Sequence, residues 1–284
     1  MDLEYSWFKR KIHEIAGIDL DSYRPEQMRR LMDRMLDQRG ARNYVEFIKY
    51  LKGGPDRIQE FKDSMTINVS SLFRDYSKWM ELNPFLVESI RKKSAAAGAA
   101  PLTFRAWSAG CSIGAEPYTL AMLLQELSIQ PGEPRFSYDI LCTDIDPTIL
   151  HRAEDGIFTD KETGETPRRL VRKYFEEIPP PATAWVGKSM ASVFYRALPE
   201  LRKHLRFKIH NMLEDKCEKG FDLIICRNVL IYFTGDTKKR LIERFRDALS
   251  GDGLLFLGGT EVIFTPAELG LVSVATCLYK KPLS

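Results

Sequence analysis

Hydrophobic residues in the first 70 positions recur with the spacing of helices. Between Pro25 and Gly40 the apolar residues fall at i, i+3, i+4, i+7 and i+8, which predicts an amphipathic helix with proline in its first turn. Those residues are Met28, Leu31, Met32, Met35 and Leu36. Residues 7–18 and 44–51 show companion patterns, so the sequence predicts a small helical N-terminal domain over residues 1–72.

The polar face of the predicted helix is rich in arginine. Arg29, Arg30 and Arg34 share it with Asp33 and Asp37. Two interpretations stay open at this point. The face is either simply solvated, or it docks an acidic helix of a partner protein.

From about residue 100 the pattern changes to short apolar runs that alternate with amphipathic segments. Strands are predicted at 103–108, 138–143, 206–210, 221–226, 254–257 and 271–279, and helices at 116–128, 147–153 and 236–249. This alternation is typical of an α/β domain with a doubly wound sheet of six or seven strands, here over residues 73–284. Ahead of it, a helix is predicted after Ser77, followed by a loop at Ser94–Ala100.

One stretch of the α/β domain does not follow the alternation. Residues 161–201 contain three consecutive prolines, Pro179–Pro181, and short β-prone pieces such as Ser192–Arg196. The stretch is therefore predicted to be an insertion that carries a small β-subdomain.

Composition excludes several classes of protein. The 284 residues include 42 Lys+Arg and 39 Asp+Glu, and this near balance argues against a general nucleic-acid binder. No apolar run approaches the roughly 18 residues that span a bilayer. The first residues also lack the apolar core of a signal peptide. We expect a cytoplasmic protein without membrane insertion.

Cysteine and histidine offer no obvious chemistry. The five cysteines are odd in number, widely spaced and mostly within apolar runs, which predicts buried free thiols. The four histidines form neither a metal-ligand spacing nor a catalytic triad. No metal site is expected.

The loop after the first predicted strand is the first candidate for ligand binding, because open α/β sheets bind ligands beyond the carboxyl ends of their strands. Gly110 and Gly114 allow a ligand to approach the backbone. The loop lacks the dinucleotide pattern G-x-G-x-x-G, and Glu116 near the helix start would repel a pyrophosphate. The loop therefore suits a ligand without phosphates.

Polar residues also follow the other strands. Asp144 stands where α/β nucleotide folds bind ribose hydroxyls, whereas Asp146 is predicted to cap the next helix; capping is the alternative for Asp144 as well. An adenosine group without phosphate is the suggested ligand. Further candidates beyond the third and fourth strands are Asn211, Met212, Arg227, Asn228 and Tyr232.

Five ordered motifs between residues 65 and 261 resemble a known family, the chemotaxis receptor methyltransferases called CheR. They are N-V-S-S-L-F-R-D at 68–75, W-S-A-G through G-A-E-P-Y at 107–118, T-D-I-D at 143–146, C-R-N-V-L-I-Y-F at 226–233, and G-L-L-F through T-E at 253–261. The preceding helical segment also fits the N-terminal domain of that family.

The resemblance implies an all-α N-terminal domain followed by a Rossmann-like domain that binds S-adenosylmethionine and methylates glutamate carboxylates of receptors. Arg74 and Tyr232 would flank the methyl-transfer centre. The cofactor pocket would be lined by Asn68, Ser70, Arg74, Glu116, Asp144, Asn211, Met212, Arg227 and Asn228.

The implied partner is the cytoplasmic helical domain of methyl-accepting chemotaxis receptors, with the enzyme recruited to membrane receptor arrays. In some members the inserted β-subdomain also binds a short peptide at the receptor C-terminus. The chain departs from the family pattern at Ala115, where an acidic residue is common, and the insertion at 161–201 is longer than in the shorter members.

The implied reaction needs no strong base, because glutamate, with a reference pKa of about 4.3, is ionised at neutral pH. Arg74 is expected to orient the substrate carboxylate; its alternative is a salt bridge with Asp75 or another acid. Tyr232 is alternatively a core aromatic. Three rival functions remain: a methyltransferase for another acceptor, a binding protein that keeps the pocket as a sensor or scaffold, and, on fold alone, a nicotinamide-dependent oxidoreductase.

Overall fold

The computed structural model describes residues 3–65, 70–181 and 193–283. The chain divides into two compact units. One consists of Met1–Ile67 together with Val229–Leu241, and the other of Asn68–Asn228 together with Ile242–Ser284.

The first unit is helical, as predicted. It contains α1 (Leu3–Ala16), α2 (Pro25–Arg39), α3 (Tyr44–Leu51) and α4 (Pro55–Met65). The predicted start of α2 at Pro25 is confirmed, and Gly40 ends the helix with a φ of 65°. Its core includes Phe8, Ile12, Met32, Phe47 and Phe61. Of the five apolar residues predicted for α2, four are buried and Leu31 is partly exposed.

A distant stretch of chain, 229–241, returns to this unit. The Tyr232 carbonyl accepts a hydrogen bond from the Arg24 N–H at 2.9 Å, and the Ser22 carbonyl accepts one from the Thr234 N–H at 3.0 Å. The rings of Tyr23 and Phe233 lie 5.0 Å apart. Tyr232 therefore belongs to a segment that is fixed against the loop before α2.

The second unit is built on a seven-stranded sheet with the order β6-β2-β1-β7-β8-β10-β9. The strands are β1 (Thr103–Ala109), β2 (Ser137–Asp144), β6 (Leu205–Ile209), β7 (Phe221–Cys226), β8 (Leu249–Leu257), β9 (Val272–Ala275) and β10 (Leu278–Lys280). The connecting helices are α5 (Tyr76–Ala97), α6 (Ala115–Ile129), α7 (Pro147–Asp155) and α10 (Gly235–Ala248), the last of which begins in the first unit.

The sheet confirms the predicted doubly wound α/β architecture. β6, β2, β1, β7 and β8 pair in parallel, and β10 is antiparallel to both of its neighbours. Chain order reverses at β1, which has β2 on one side and β7 on the other. Ligands of open α/β sheets bind at such a reversal, beyond the carboxyl ends of the strands.

Burial on both faces explains the sequence of the central strands. All six residues of β7 are buried, which is why this strand reads as a continuous apolar run rather than an alternating one. Helix α6 is similarly buried on most of its circumference, from Ala115 to Leu124 except Glu116.

A second, three-stranded sheet confirms the predicted inserted β-subdomain. Its order is β3-β5-β4, with β3 at Ile157–Thr159, β4 at Phe175–Ile178 and β5 at Phe194–Ala197, and both pairings are antiparallel. Two short helices accompany it, α8 (Arg168–Tyr174) and α9 (Pro199–Arg202). The sheet begins before residue 161, earlier than predicted, and residues 182–192 lie outside the described residues.

Two local predictions were wrong. The run 271–279 was predicted as one strand, but it forms an antiparallel hairpin of β9 and β10, which turns at Cys277 with a φ of 60°. The stretch Ser94–Ala100 was predicted as a loop, but α5 continues to Ala97. The run of small residues suggested a loop, but alanine has the highest intrinsic helix propensity, so Ala95–Ala97 extend the helix.

The cysteines are free: Cys111, Cys142, Cys226 and Cys277 are buried as predicted, and Cys217 is partly buried. Within 3–65, 70–181 and 193–283 no helix is long and apolar enough to cross a membrane. The same ranges contain no cluster of three or more acidic, histidine or cysteine side chains suited to a metal ion.

Candidate functional site

Strained backbone marks the carboxyl edge of the large sheet. Phe73, Asp75, Ser112 and Asn228 have φ values of 56°, 59°, 50° and 60°, a region that side chains other than glycine rarely adopt. Ser112 follows β1 and Asn228 follows β7, the two strands at the reversal of chain order. Such strain persists only where surrounding contacts impose it, and it concentrates at functional sites.

The loop between β1 and α6 is held against the end of β2. The Thr143 carbonyl accepts hydrogen bonds from the N–H groups of Gly110 at 2.8 Å and Cys111 at 2.9 Å. Gly114 has a φ of 84°, and a Cβ there would lie 3.0 Å from the Cβ of Ala153. Glycine is therefore required at 114 by both backbone conformation and packing.

Asp144, at the end of β2, is buried and held by this loop. Its Oδ2 accepts the Ser112 N–H at 2.9 Å, and its Oδ1 accepts the Asp146 N–H at 3.2 Å. Burial raises the pKa of Asp144 despite these two hydrogen bonds. Each oxygen retains a lone pair, so the carboxylate can still accept from ligand hydroxyls.

Asp146 has a different task, as predicted. Its carboxylate caps α7 by accepting from the N–H groups of Thr148 at 2.8 Å and Ile149 at 3.3 Å. The capping alternative therefore applies to Asp146, while the Asp144 side chain bonds to the loop after β1.

Glu116 lies in the first turn of α6 and accepts a hydrogen bond from the Ser108 hydroxyl at 2.6 Å. Burial raises its pKa to about 7; the Ser108 hydroxyl and the charge of Arg227 lower it, and Glu261 raises it further. Arg227 and Glu261 are thus close enough to Glu116 to change its pKa.

The carboxylates at this edge suit a ligand that is positively charged and carries hydroxyl groups. Burial raises the pKa of both Asp144 and Glu116, which means that their present partners compensate the charged forms only in part. A positive ligand would supply that compensation, whereas a phosphate would add repulsion. These two buried acids therefore suit a positively charged ligand better than a pyrophosphate.

Asn211 and Met212 follow β6 and are partly buried. The strand end is tied to the site because the His210 N–H donates to the Asp144 carbonyl at 2.9 Å. The Asn211 Oδ1 accepts the Leu213 N–H at 3.0 Å, and the Asn211 N–H donates to Asp215 at 2.8 Å. The Asn211 side chain thus shapes its own turn, and an adenine contact by Asn211 or Met212 stays a prediction.

Arg227 clamps the segment that carries Arg74. Its Nη2 donates to Asp75 at 2.8 Å and its Nη1 to the Arg74 carbonyl at 3.1 Å. The guanidinium lies over the rings of Trp79 and Phe256, 5.4 and 5.0 Å from their centres. Direct contact of Arg227 with the cofactor stays a prediction; its observed contacts fix the path of residues 74 and 75.

Further hydrogen bonds reinforce this path. The Phe73 N–H donates to the Thr119 hydroxyl at 2.9 Å, and the Trp79 indole N–H donates to the Arg74 carbonyl at 3.1 Å. The backbone around Arg74 is therefore fixed to α6 through Phe73 and to the following helix α5 through Trp79.

Glu261 is a site residue to which sequence reasoning assigned no role. It is only 6% exposed, and its Oε2 accepts the N–H groups of Asn228 and Gly258, each at 2.8 Å. A Cβ at Gly258 would lie 2.5 Å from that oxygen and 2.9 Å from the Asn228 nitrogen. The sequence feature that could have indicated this turn is the pair Gly258-Gly259 directly after β8, because glycine allows the backbone to turn closely around the buried carboxylate.

Three of the predicted site residues are not tested by these contacts. Tyr232 belongs to the first compact unit, so the motif C-R-N-V-L-I-Y-F passes from one unit into the other after Asn228. Ser70 is partly buried at the start of the second described range, and Asn68 lies outside the described residues. The roles of these three residues stay predictions.

Comparison with known proteins gives the context of this geometry. Residues 68–276 match the family description "CheR methyltransferase, SAM binding domain", and residues 3–66 match "CheR methyltransferase, all-alpha domain". The first match alone spans well over half of the chain.

Several similar curated proteins are named chemotaxis protein methyltransferases. The chain is 37% identical to the "Chemotaxis protein methyltransferase" of Listeria monocytogenes, over 99% of this chain and 98% of that protein. Proteins of the same name in Borreliella burgdorferi and Escherichia coli are 30% and 28% identical, over 98% and 92% of this chain and 94% and 84% of theirs. The chain belongs to the CheR methyltransferase family, and its cofactor is S-adenosylmethionine.

Proposed function

We propose that this protein transfers the methyl group of S-adenosylmethionine to glutamate side-chain carboxylates of methyl-accepting chemotaxis receptors and forms glutamyl methyl esters. The relatives named chemotaxis protein methyltransferases support the pathway. One observation carries the chemistry: Arg227 pins the Arg74 segment at the sheet edge that also holds Glu116 and Asp144.

Some residues at this edge are proposed to bind the cofactor, and others to orient the acceptor carboxylate. The bound cofactor supplies an electrophilic methyl group. Asp144 accepts hydrogen bonds from ribose hydroxyls, and Glu116 compensates the positive charge of the methionine part. The remaining proposed lining consists of Asn68, Ser70, Asn211, Met212, Arg227 and Asn228.

Arg74 orients the acceptor. A glutamate carboxylate is ionised at neutral pH, since its reference pKa is about 4.3, and it needs no general base. A guanidinium can hold such a carboxylate by two parallel hydrogen bonds. Because the backbone of Arg74 is pinned, its side chain starts from a fixed point, which reduces the entropic cost of alignment. Tyr232 is proposed to flank the same centre.

The proposed partner is the cytoplasmic helical domain of the receptors, so that the enzyme acts in the cytoplasm at membrane receptor arrays. The inserted β-subdomain is the proposed position for a receptor C-terminal peptide. The functional division of the chain is proposed at residues 1–72 and 73–284.

The variant Arg74→Ala tests the orienting role. With a receptor cytoplasmic fragment and methyl-labelled cofactor, we expect turnover to fall about 100-fold while thermal melting stays close to wild type, because misplaced reacting groups cost about that factor. Arg91→Ala is the matched control, since the side chain of Arg91 is 62% exposed and its ion pair is with Glu133. Unchanged turnover in Arg74→Ala would remove Arg74 from the reaction.

A further inference from the structure

The loop after β8 exposes a large aromatic residue close to the candidate site. Phe264 is 92% exposed and Val262 is 48% exposed. The other exposed residues of this stretch are Gly259, Thr260, Thr265 and Ala267, and the exposed Glu268 follows them. An exposed apolar patch of this kind on a folded domain is typical of an interaction surface.

The exposure is imposed by neighbouring residues that are buried. Glu261 is bound to the N–H groups of Asn228 and Gly258, and the Ile263 N–H donates to the Tyr279 hydroxyl at 2.8 Å. Ile263 and Tyr279 are buried. Because residues 261 and 263 are fixed inward, 262 and 264 are held outward, and the patch is ordered before a partner binds.

The patch lies within reach of the methyl-transfer site. Glu261 Oε2 is 2.8 Å from the Asn228 nitrogen, and Phe264 follows Glu261 by three residues, a span of at most about 10 Å. In a substrate helix, residues one and two turns from a given glutamate lie about 5 and 11 Å along the axis. The neighbours of an acceptor glutamate on its helix therefore lie at distances from it that match this span.

We propose that Phe264, with Val262, is the apolar anchor for the substrate helix and contacts apolar side chains one or two turns from the acceptor glutamate. The inference rests on the proposed function and adds a specificity element to it. The occupant follows from the chemistry of the patch: an uncharged, aromatic surface matches the apolar face of an amphipathic helix, while the acceptor carboxylate goes to Arg74.

The test compares Phe264→Ala with Ile129→Ala in the full-length protein. Ile129 is a suitable control because it is 44% exposed and ends α6, about 20 Å along the helix from Glu116. Methyl transfer to a receptor cytoplasmic fragment is measured as a function of fragment concentration, and the affinity for S-adenosylhomocysteine and thermal melting are measured in parallel.

We expect Phe264→Ala to raise the KM for the fragment about tenfold, with kcat, cofactor affinity and melting near wild type, as for an exposed binding anchor. Phe264→Leu should recover most of the loss. A double-mutant cycle combines Phe264→Ala with a receptor fragment in which serine replaces the apolar residues that flank the acceptor glutamate. The serine replacements should raise the KM of the wild-type enzyme but change the KM of Phe264→Ala very little.

Two results would overturn the inference. One is a KM in Phe264→Ala equal to that of Ile129→Ala. The other is a double-mutant cycle in which the effects of the enzyme and fragment substitutions on the free energy of binding simply add. A weaker affinity for S-adenosylhomocysteine would assign Phe264 to the cofactor site instead. If the wild-type enzyme transfers no methyl group to receptor fragments, the proposed function itself fails, which is a different outcome from a loss of Phe264 dependence.

Discussion

Arg227 Nη2 lies 2.8 Å from Asp75 Oδ2, and this pair joins two sequence motifs that are 152 residues apart. The Arg227 side chain is 4% exposed and that of Asp75 is 49% exposed. The arginine end of the pair is thus fixed in the fold, and the aspartate is the part that can be changed without opening the core.

Loss of the Asp75 charge should loosen the Arg74 segment. In Asp75→Asn the left-handed backbone is kept, since asparagine tolerates it, but buried Arg227 loses its ionised partner. We expect the free energy of unfolding to fall by about 1 kcal/mol and turnover to fall about tenfold. Urea unfolding and methyl transfer would measure both. Asp247→Asn is the control and should be close to neutral, because the Asp247 side chain is 59% exposed beside its partner Arg246.

Removal of the Glu261 carboxylate should disturb the turn at Asn228. Glu261→Ala leaves the N–H groups of Asn228 and Gly258 without their acceptor, and unsatisfied buried donors cost about 1–3 kcal/mol. We expect lower stability together with weaker cofactor binding, and a smaller effect for Glu261→Gln, which retains an acceptor oxygen. Wild-type stability and cofactor affinity in Glu261→Ala would show that the turn does not depend on this side chain.

Asp144 and Asp146 form a matched pair for charge removal. Asp144→Asn should weaken binding of S-adenosylhomocysteine at least tenfold, because a carboxylate that accepts from two hydroxyls becomes an amide with a single acceptor oxygen. Asp146→Asn removes the same charge two residues away but preserves the cap of α7, so binding should stay near wild type. Calorimetric titration measures both. Equal effects of the two substitutions would mean that net charge, not the position of Asp144, governs binding.

Cofactor binding should depend on pH through Glu116. The pKa of this group is about 7 in the free protein because burial disfavours the charged form. A cation beside it favours the carboxylate, so binding releases a proton below pH 7, and affinity should rise with pH toward 7 and level off above it. Glu116→Gln should flatten this dependence. Titrations of S-adenosylmethionine at several pH values would measure it, and an affinity that falls between pH 6 and 7 would contradict it.

The same raised pKa predicts the pH dependence of stability without cofactor. Between about pH 4.5 and 7 the folded protein retains a proton on Glu116 that the unfolded chain has lost. This group therefore lowers the free energy of unfolding as pH rises through that window. The free energy of unfolding, measured by urea unfolding at several pH values, should fall more steeply with pH in wild type than in Glu116→Gln within that window.

Periodicity predicted the regular elements well. The helix that begins at Pro25, the helix Tyr44–Leu51 and the strand Phe221–Cys226 have local signals strong enough to identify them: caps, helical spacing and a buried apolar run. The β9–β10 hairpin was missed because its turn places Cys277, which no turn pattern marks, in the left-handed region.

Site residues could be predicted from sequence where they lie at the end of a strand or the start of a helix. Asp144 and Glu116 lie at a strand end and a helix start, and parallel topology brings such positions to one edge. The clamp by Arg227 and the turn around Glu261 depend on contacts between distant parts of the chain. Those contacts have no periodic signature, so only the structure reveals them.

In the proposed reaction the methyl group ends on a glutamate carboxylate of a receptor. The most direct measurement incubates the enzyme, methyl-labelled S-adenosylmethionine and the cytoplasmic domain of a receptor from the same cell, and then treats the isolated receptor with mild alkali. We predict that the label leaves as methanol, because a carboxylate ester hydrolyses under these conditions, and that glutamine at the acceptor positions abolishes labelling. Label that stays on the receptor after alkali would contradict ester formation.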